Sequence, residues 1–270
     1  MNALEIAGLS VRYGRTTVVD RVSLAVPKGR TVGLVGESGS GKSTIAAAAV
    51  GLVRPEAGTI RVDGDLAVGG GALARRARRR MQLVFQDPFS ALDPLMPVGD
   101  SIAEALRATG RRWNRVERVA RVRELLRQVH LDPDRAEDRP GAFSGGQRQR
   151  ITIARALAGE PSVLIADEVT SALDVSVQGA ILNLLRELQQ ELGISMLFIS
   201  HNLAVVRYIS DEVYVMRQGR LVESGPTESL LARPEDPYTR DLLDAVPVLG
   251  ERMLFDAAPG RSAQRHQASV

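Results

Sequence analysis

The sequence predicts an α/β fold whose mostly parallel sheet is covered on both faces. Three observations carry this. The strand candidates "RTVGLVG", "SVLIADE" and "ISMLFIS" are short apolar runs, as strands buried on both faces are. Each is followed by a helical pattern: "KSTIAAAAVGL", "VSVQGAILNLLRELQQELG" and "HNLAVVRYI". Between about Ser90 and Gly159 the pattern is helical with no clear strand, which sets that stretch apart from the sheet.

In chain order, "LEIAGLSVRYG" and "VVDRVSLAVPKG" alternate and meet turn signals at Gly14-Arg15 and Pro27-Lys28-Gly29, so both read as strands. "GTIRVDG" is another strand, closed by Asp63-Gly64. "GGGALARRARRR" reads as a loop or a short helix, and "MQLVFQD" as a buried strand. Late in the chain, "DEVYVMRQGRLVESG" is a strand pair turning at Gln218-Gly219. From about Pro247 the sequence is polar and rich in Ala, Gly, Arg and Gln, so residues 247–270 are expected to form a flexible tail. No internal repeat is found.

The bulk composition narrows the function classes. With 270 residues and 44% hydrophobic content there is ample material for a core, built from aliphatic residues because aromatics make up only 4%. Cysteine is absent, which excludes disulfides, thiolate metal sites and thiol catalysis. No stretch approaches the ~18 apolar residues of a membrane span, and the first residues lack the basic and apolar segments of a signal peptide. A soluble, cytoplasmic protein is expected, with any membrane role acting through a partner. The net charge is only +3, and nearly all cations are arginine; Lys28 and Lys42 are the only lysines.

"GESGSGKST", Gly36 to Thr44, matches G-x-x-x-x-G-K-[ST] between a strand and a helix. The glycines, Gly36, Gly39 and Gly41, with Ser38 and Ser40 between them, let successive N–H groups cradle phosphates. Lys42 reaches the β/γ oxygens and the Ser43 hydroxyl ligates Mg²⁺. "SVLIADE" ends on adjacent acids. Beside a phosphate loop, Asp167 helps to hold Mg²⁺ and Glu168 polarises a water as general base. Alone, the same pair is also an ordinary helix start after a strand.

Three other residues have ordinary alternatives. His201 ends "LFISH" at the carboxyl edge of the sheet, where ligands bind in such folds, although a lone histidine is more often structural. Gln86, at the end of "LVFQDP", either touches Mg²⁺ or the attacking water, or is a polar strand end before a turn. Tyr13 either stacks on a base or is an exposed strand tyrosine. "FSGGQRQR" opens a helix: Ser144 is placed as its N-cap and Gln147 completes a capping box. Gly145 and Gly146 would then let an anion approach bare N–H groups. The arginines from Arg107 to Arg127 are interleaved with Glu104, Glu117 and Glu124 and read as a solvated face, so no nucleic acid is expected. The Arg75-to-Arg80 run stays ambiguous.

Taken together and in this order, the motifs resemble the ATP-binding cassette family of transporter ATPases. "GESGSGKST" is similar to its Walker A loop, "FQDP" to its Q-loop, "FSGGQ" to its signature, "VLIADE" to its Walker B, "SALD" to its D-loop and "SH" to its switch histidine. "QDPFSALDPLMPVGDSIAEAL" and "DEVYVMRQGRLVESGPTESLLARPEDPYTRDLLDAVP" resemble segments of its oligopeptide, dipeptide and nickel importer subfamily. The resemblance spans about residues 3 to 246.

The resemblance implies a P-loop NTPase, RecA-like core with an N-terminal antiparallel β subdomain and an inserted helical subdomain. The implied boundaries are about 1–89 for the β subdomain and phosphate-loop core, 90–159 for the helical part, 160–230 for the continued core and 231–246 for a C-terminal segment. It implies ATP and Mg²⁺ as cofactors. Tyr13 would stack on adenine, Gly36 to Thr44 would bind the triphosphate, and Ser43, Gln86 and Asp167 would serve the metal. Lys42, Gln86, Glu168 and His201 would act in hydrolysis. Ser144, Gly145, Gly146 and Gln147 would face a γ-phosphate held by a second cassette, and Asp174 would lie at the cassette interface. The partners would be that second cassette, a copy or a paralogue placed head to tail, integral permease subunits, and indirectly a substrate-binding protein, at the cytoplasmic face of the cell membrane. Val169 stands where proline is usual and Asn202 where aspartate is usual. The competing readings are a cassette of a non-transport complex, such as phosphonate degradation, and a soluble ribosome- or nucleic-acid-associated cassette.

Overall fold

The computed structural model describes residues 1–244. The expected tail 247–270 and the end of the expected C-terminal segment lie outside the described residues.

The chain opens with β1 (Asn2–Tyr13) and β2 (Thr16–Pro27), then β3 (Thr31–Val35) leads through a glycine-rich loop into α1 (Lys42–Val50). β4 (Ala57–Val62), β5 (Asp65–Leu66), α2 (Ala72–Arg79) and β6 (Met81–Val84) follow. Next come α3 (Pro88–Ala91), α4 (Val98–Ala105), α5 (Arg115–Gln128) and α6 (Gly145–Leu157), with short 3-10 turns between them. The last part contains β7 (Val163–Asp167), α7 (Val175–Leu192), β8 (Ser195–Ser200), α8 (Leu203–Ile209), β9 (Glu212–Arg217), β10 (Arg220–Pro226), α9 (Thr227–Ala232) and α10 (Pro237–Asp244).

Two sheets result. One is antiparallel, in the order β2-β1-β4-β5. The other runs β10-β9-β3-β8-β7-β6 and is parallel except for β10, which returns antiparallel to β9. The central strands are buried on both sides, and their alternation divides the core. Met196 and Phe198 of β8 join one hydrophobic cluster with Ile151 of α6 and Leu125 of α5. Leu197 and Ile199 join the other, with Ile45 of α1 and Leu9 of β1. This is why "ISMLFIS" carries no polar alternation. A Cβ on Gly33 would lie 2.3 Å from Val206 Cγ1, so only glycine lets α8 pack this closely on β3.

Three readings are refined. β6 ends at Val84 and is an edge strand, so Gln82 and Leu83 are half-buried rather than enclosed. Gln86 therefore lies two residues past the strand, exposed in a loop, not at the strand end. The arginine run lies in α2 and, at Arg80, in its C-cap, and three of its guanidiniums bond to the chain's own oxygens: Arg75 to Gly70, Arg78 to Ala67 and Gly69, and Arg80 to Val62 and Asp65.

Candidate functional site

Parallel register gathers the candidate residues on one edge of the six-stranded sheet. Val35 pairs with Ser200, Asp167 with Ile199, and Val84 with Ala166. The residues next in sequence, Gly36, His201, Glu168 and the Phe85-Gln86 loop, therefore all emerge at the carboxyl ends of the strands. Such edges are where open α/β sheets bind ligands.

The Gly36–Thr44 loop is shaped by close contacts that exclude side chains. Gly36 has φ +154° and a Cβ there would lie 2.0 Å from the Met216 carbonyl oxygen. Gly41 has φ +107° and would meet the Val18 carbonyl at 2.8 Å, while Gly39, at φ +79°, faces open space. Ser38 is exposed and Ser40 buried. The loop closes on Lys42, which begins α1 and is almost wholly buried. Its ammonium donates to the Gly36 and Glu37 carbonyls, both at 2.8 Å, and to Ser40 Oγ at 3.4 Å. Burial pulls its pKa below the ordinary lysine value, opposed by the nearby Glu168, Asp167 and Glu37 carboxylates.

Ser43 Oγ donates to Asp167 Oδ1 at 3.1 Å. Asp167 is 8% exposed and has no ion pair among the described residues. Burial pushes its carboxyl above the usual range, the Ser43 bond draws it down, and Glu168 adds to the rise. A buried carboxylate beside a hydroxyl, with oxygen donors only, fits Mg²⁺. Gln86 has no hydrogen bond to this pair in the structure.

Glu168 adopts φ +49°, a conformation uncommon for a side-chain-bearing residue. A tight turn holds it there: its N–H donates to the Ile199 carbonyl, and its carbonyl accepts from the Ser171 N–H and hydroxyl. The turn aims the carboxylate at His201, whose Nδ1 lies 3.2 Å from Glu168 Oε1. His201 is more than half exposed and Glu168 largely sheltered. His201 is thus joined to the acid rather than being an isolated structural histidine.

Ser144 caps α6 as the sequence implied. Its hydroxyl accepts from the Gln147 N–H at 3.3 Å, and the Gln147 side chain accepts from the Ser144 N–H at 3.0 Å. The first N–H groups of a helix have no intrahelical acceptor, so the cap leaves those of Gly145 and Gly146 available. A Cβ on Gly146 would lie 2.5 Å from Val177 Cγ1 of α7, whereas one on Gly145 would make only ordinary contact with Leu173. Asp174, the N-cap of α7, is exposed and makes no capping bond with its side chain. Tyr13, at the end of β1, is half exposed beside its turn. Thr44 is partly buried on α1.

Both unusual residues have local roles. Val169 is buried in the core. Asn202 Oδ1 accepts from the Ala204 and Val205 N–H groups, so it caps α8 as aspartate would. Sequence reasoning missed the backing of the phosphate loop. Met216 lies behind Gly36, and the Gly219 N–H donates to the Ser40 carbonyl at 2.9 Å. No local pattern marks these residues, because their contribution is backbone.

A glycine-shaped loop with a buried lysine, a sheltered acid pair and a histidine on a parallel sheet edge define a P-loop ATPase. The chain belongs to the ABC transporter family. The family model described as ABC transporter matches residues 19–171, and that described as Oligopeptide/dipeptide transporter, C-terminal region, matches residues 222–270. A putative peptide import ATP-binding protein of Brucella ovis is 50% identical over 249 residues, covering 90% of this chain and 78% of that protein. The oligopeptide transport ATP-binding protein OppD of Mycobacterium tuberculosis is 50% identical over 235 residues, 87% of this chain and 38% of that longer one. Among solved structures, cbiO1 of Clostridium perfringens, part of the ABC transporter complex cbiONQ, matches with TM-score 0.78 and 28% identity over 86% of this chain and 91% of its own. A dimer of the ATP-binding cassette MJ0796 in a post-hydrolysis state with ADP and Pi matches with TM-score 0.73 and 27% identity, over 83% and 98%.

Proposed function

We propose that the chain is the ATP-hydrolysing subunit of a membrane importer for peptides or related small solutes, working as one of two cassettes that grip ATP between them. One observation carries the pairing: the chain holds two anion-ready elements, the Gly36–Thr44 loop and the capped start of α6. Among the described residues no hydrogen bond or ion pair joins Ser144–Gln147 to that loop. Each is half of a site that a second cassette, a copy or a paralogue, completes head to tail. The peptide class is supported by the names of the Brucella and Mycobacterium relatives.

In this reading the loop binds the triphosphate, with Tyr13 against the adenine. Ser43, Asp167 and Gln86 would hold Mg²⁺. The metal, when bound, neutralises charge on the β- and γ-phosphates. Glu168 takes the proton of the attacking water and His201 positions that carboxylate and the γ-phosphate. Lys42 and the Gly145 and Gly146 N–H groups stabilise charge on the transferred group. Asp174 faces the second cassette. No described helix is long and apolar enough to cross a membrane, so attachment at the cytoplasmic face runs through integral permease subunits, with a substrate-binding protein acting on their far side.

The test is to purify the tagged chain from membranes and to follow ATPase rate against cassette concentration. Co-purification of integral membrane proteins and a rate rising faster than linearly are expected. Full ATPase activity in a strictly monomeric preparation would overturn the shared site.

A further inference from the structure

The phosphate loop is touched from an unexpected direction. Tyr238, in α10, is 4% exposed and its hydroxyl accepts a hydrogen bond from the Glu37 N–H at 3.0 Å. Glu37 is the second residue of the loop, and its carbonyl accepts from Lys42 Nζ. The Gly36–Glu37 peptide is thus held at its N–H by the far C-terminal helix and at its carbonyl by Lys42, which also holds the next carbonyl.

The tyrosine is firmly placed. The Arg217 guanidinium lies 4.8 Å from its ring centroid, and its N–H donates to Asp236 Oδ1 at 2.8 Å. The segment leading into it is pinned to β10. The Glu223 carboxylate accepts from the Glu235 N–H at 2.9 Å and from the Asp236 N–H at 3.2 Å. Burial pushes the Glu223 carboxyl up, but the Glu235 and Asp236 N–H groups outweigh it and hold the carboxyl below the usual range. Thr239 beside the tyrosine is fully buried. Burial raises the tyrosine's own pKa, so the hydroxyl stays neutral around neutral pH and remains an acceptor that can also donate. Three residues late in the chain thus back the loop: Met216 behind Gly36, Gly219 bonded to Ser40, and Tyr238 bonded to Glu37.

We propose that Tyr238 is a positioning residue for the phosphate loop, and that docking of the C-terminal helix and nucleotide binding strengthen each other through the Glu37 peptide. This rests on the reading of Gly36–Thr44 as the triphosphate site. When Lys42 turns from the Gly36 and Glu37 carbonyls towards phosphate, the Tyr238 hydroxyl still holds the Glu37 N–H and keeps that turn of the loop in place. By linkage, whatever the docked helix adds to nucleotide affinity, bound nucleotide returns to the stability of docking.

Tyr238→Phe keeps the ring and removes only the acceptor. In the full chain, its Kd for a fluorescent ATP analogue should rise about 3- to 10-fold, the size of one net hydrogen bond. In the assembled complex the loss should fall on KM for ATP rather than on kcat. A merely structural role would lower Tm and leave the Kd of the folded fraction unchanged. Hydrogen exchange on the wild-type chain gives a second measurement that needs no variant: Mg²⁺-ADP should slow exchange at residues 237–244. An unchanged Kd in the folded variant, or exchange at 237–244 indifferent to nucleotide, overturns the proposal. Lys42→Ala separates the two layers. If it loses binding while Tyr238→Phe does not, only the coupling fails; if it binds as wild type does, the phosphate-site reading fails as well.

Discussion

His201 Nδ1 lies 3.2 Å from Glu168 Oε1, although the two residues follow different strands. β7 and β8 are parallel neighbours, and the pairing of Asp167 with Ile199 brings both strand ends to one level. The positive φ of Glu168 then turns its carboxylate across to the histidine. The backbone turn thereby places the acid with the imidazole beside it.

Glu168→Gln keeps the side chain's shape and removes the base. ATP binding should persist, and turnover by the complex assembled with its membrane partners should fall by at least ~10²-fold. Steady-state hydrolysis beside equilibrium nucleotide binding checks this, and near-wild-type turnover would remove Glu168 from the role.

Asp167 carries a stability cost that depends on pH. Burial raises its folded pKa above the ordinary value of 3.8, so the native state holds its proton more tightly than the unfolded chain does. Its contribution is therefore most favourable below 3.8, declines as pH rises through the folded value and then stays low. Asp167→Asn should match wild type in Tm in acid, exceed it by a few degrees at neutral pH without nucleotide, and lose Mg²⁺-dependent hydrolysis. Thermal unfolding at both pH values tests the sign, and a lower Tm for the variant at neutral pH would contradict it.

The two glycines at the start of α6 should separate experimentally. Gly146→Ala places a methyl 2.5 Å from Val177 Cγ1 and should destabilise by about 1–3 kcal/mol through overpacking. Gly145→Ala meets only ordinary contact, so it should melt like wild type while losing most ATPase activity in the paired cassettes. Calorimetry set beside ATPase assays distinguishes them; equal stability losses in both would count against a ligand-facing Gly145.

Asn202 is expected to act through helix capping. Asn202→Ala should cost about 1 kcal/mol of stability, while Asn202→Asp keeps the cap and should retain both stability and turnover. Denaturant titration of the three chains decides it, with a fall in the aspartate variant as the contrary result.

Much of this protein was legible in the chain. The phosphate loop could be read because its chemistry needs contiguous glycines, a lysine and a serine, so spacing alone reports it. The capping box at Ser144 and Gln147 is likewise local, and it formed as the side-chain types dictate. The buried strands announced themselves by continuous apolar runs. Harder cases were those with local alternatives: spacing left Gln86 at a strand end, but as an edge strand β6 stops early and leaves it in an exposed loop.

By itself, then, the sequence determined the class of fold, the glycine-rich loop that ends on Lys42 and Ser43, and the capped start of α6. Each depends on residues within one turn or one strand of each other. Tertiary structure alone decided that Glu168 meets His201, that Met216 shapes the space at Gly36, and that Tyr238 accepts a bond from Glu37. These contacts join residues far apart in the chain, several of them through backbone atoms that every residue carries. No residue type marks such a contact in advance; strand register and the docking of the last helix create it.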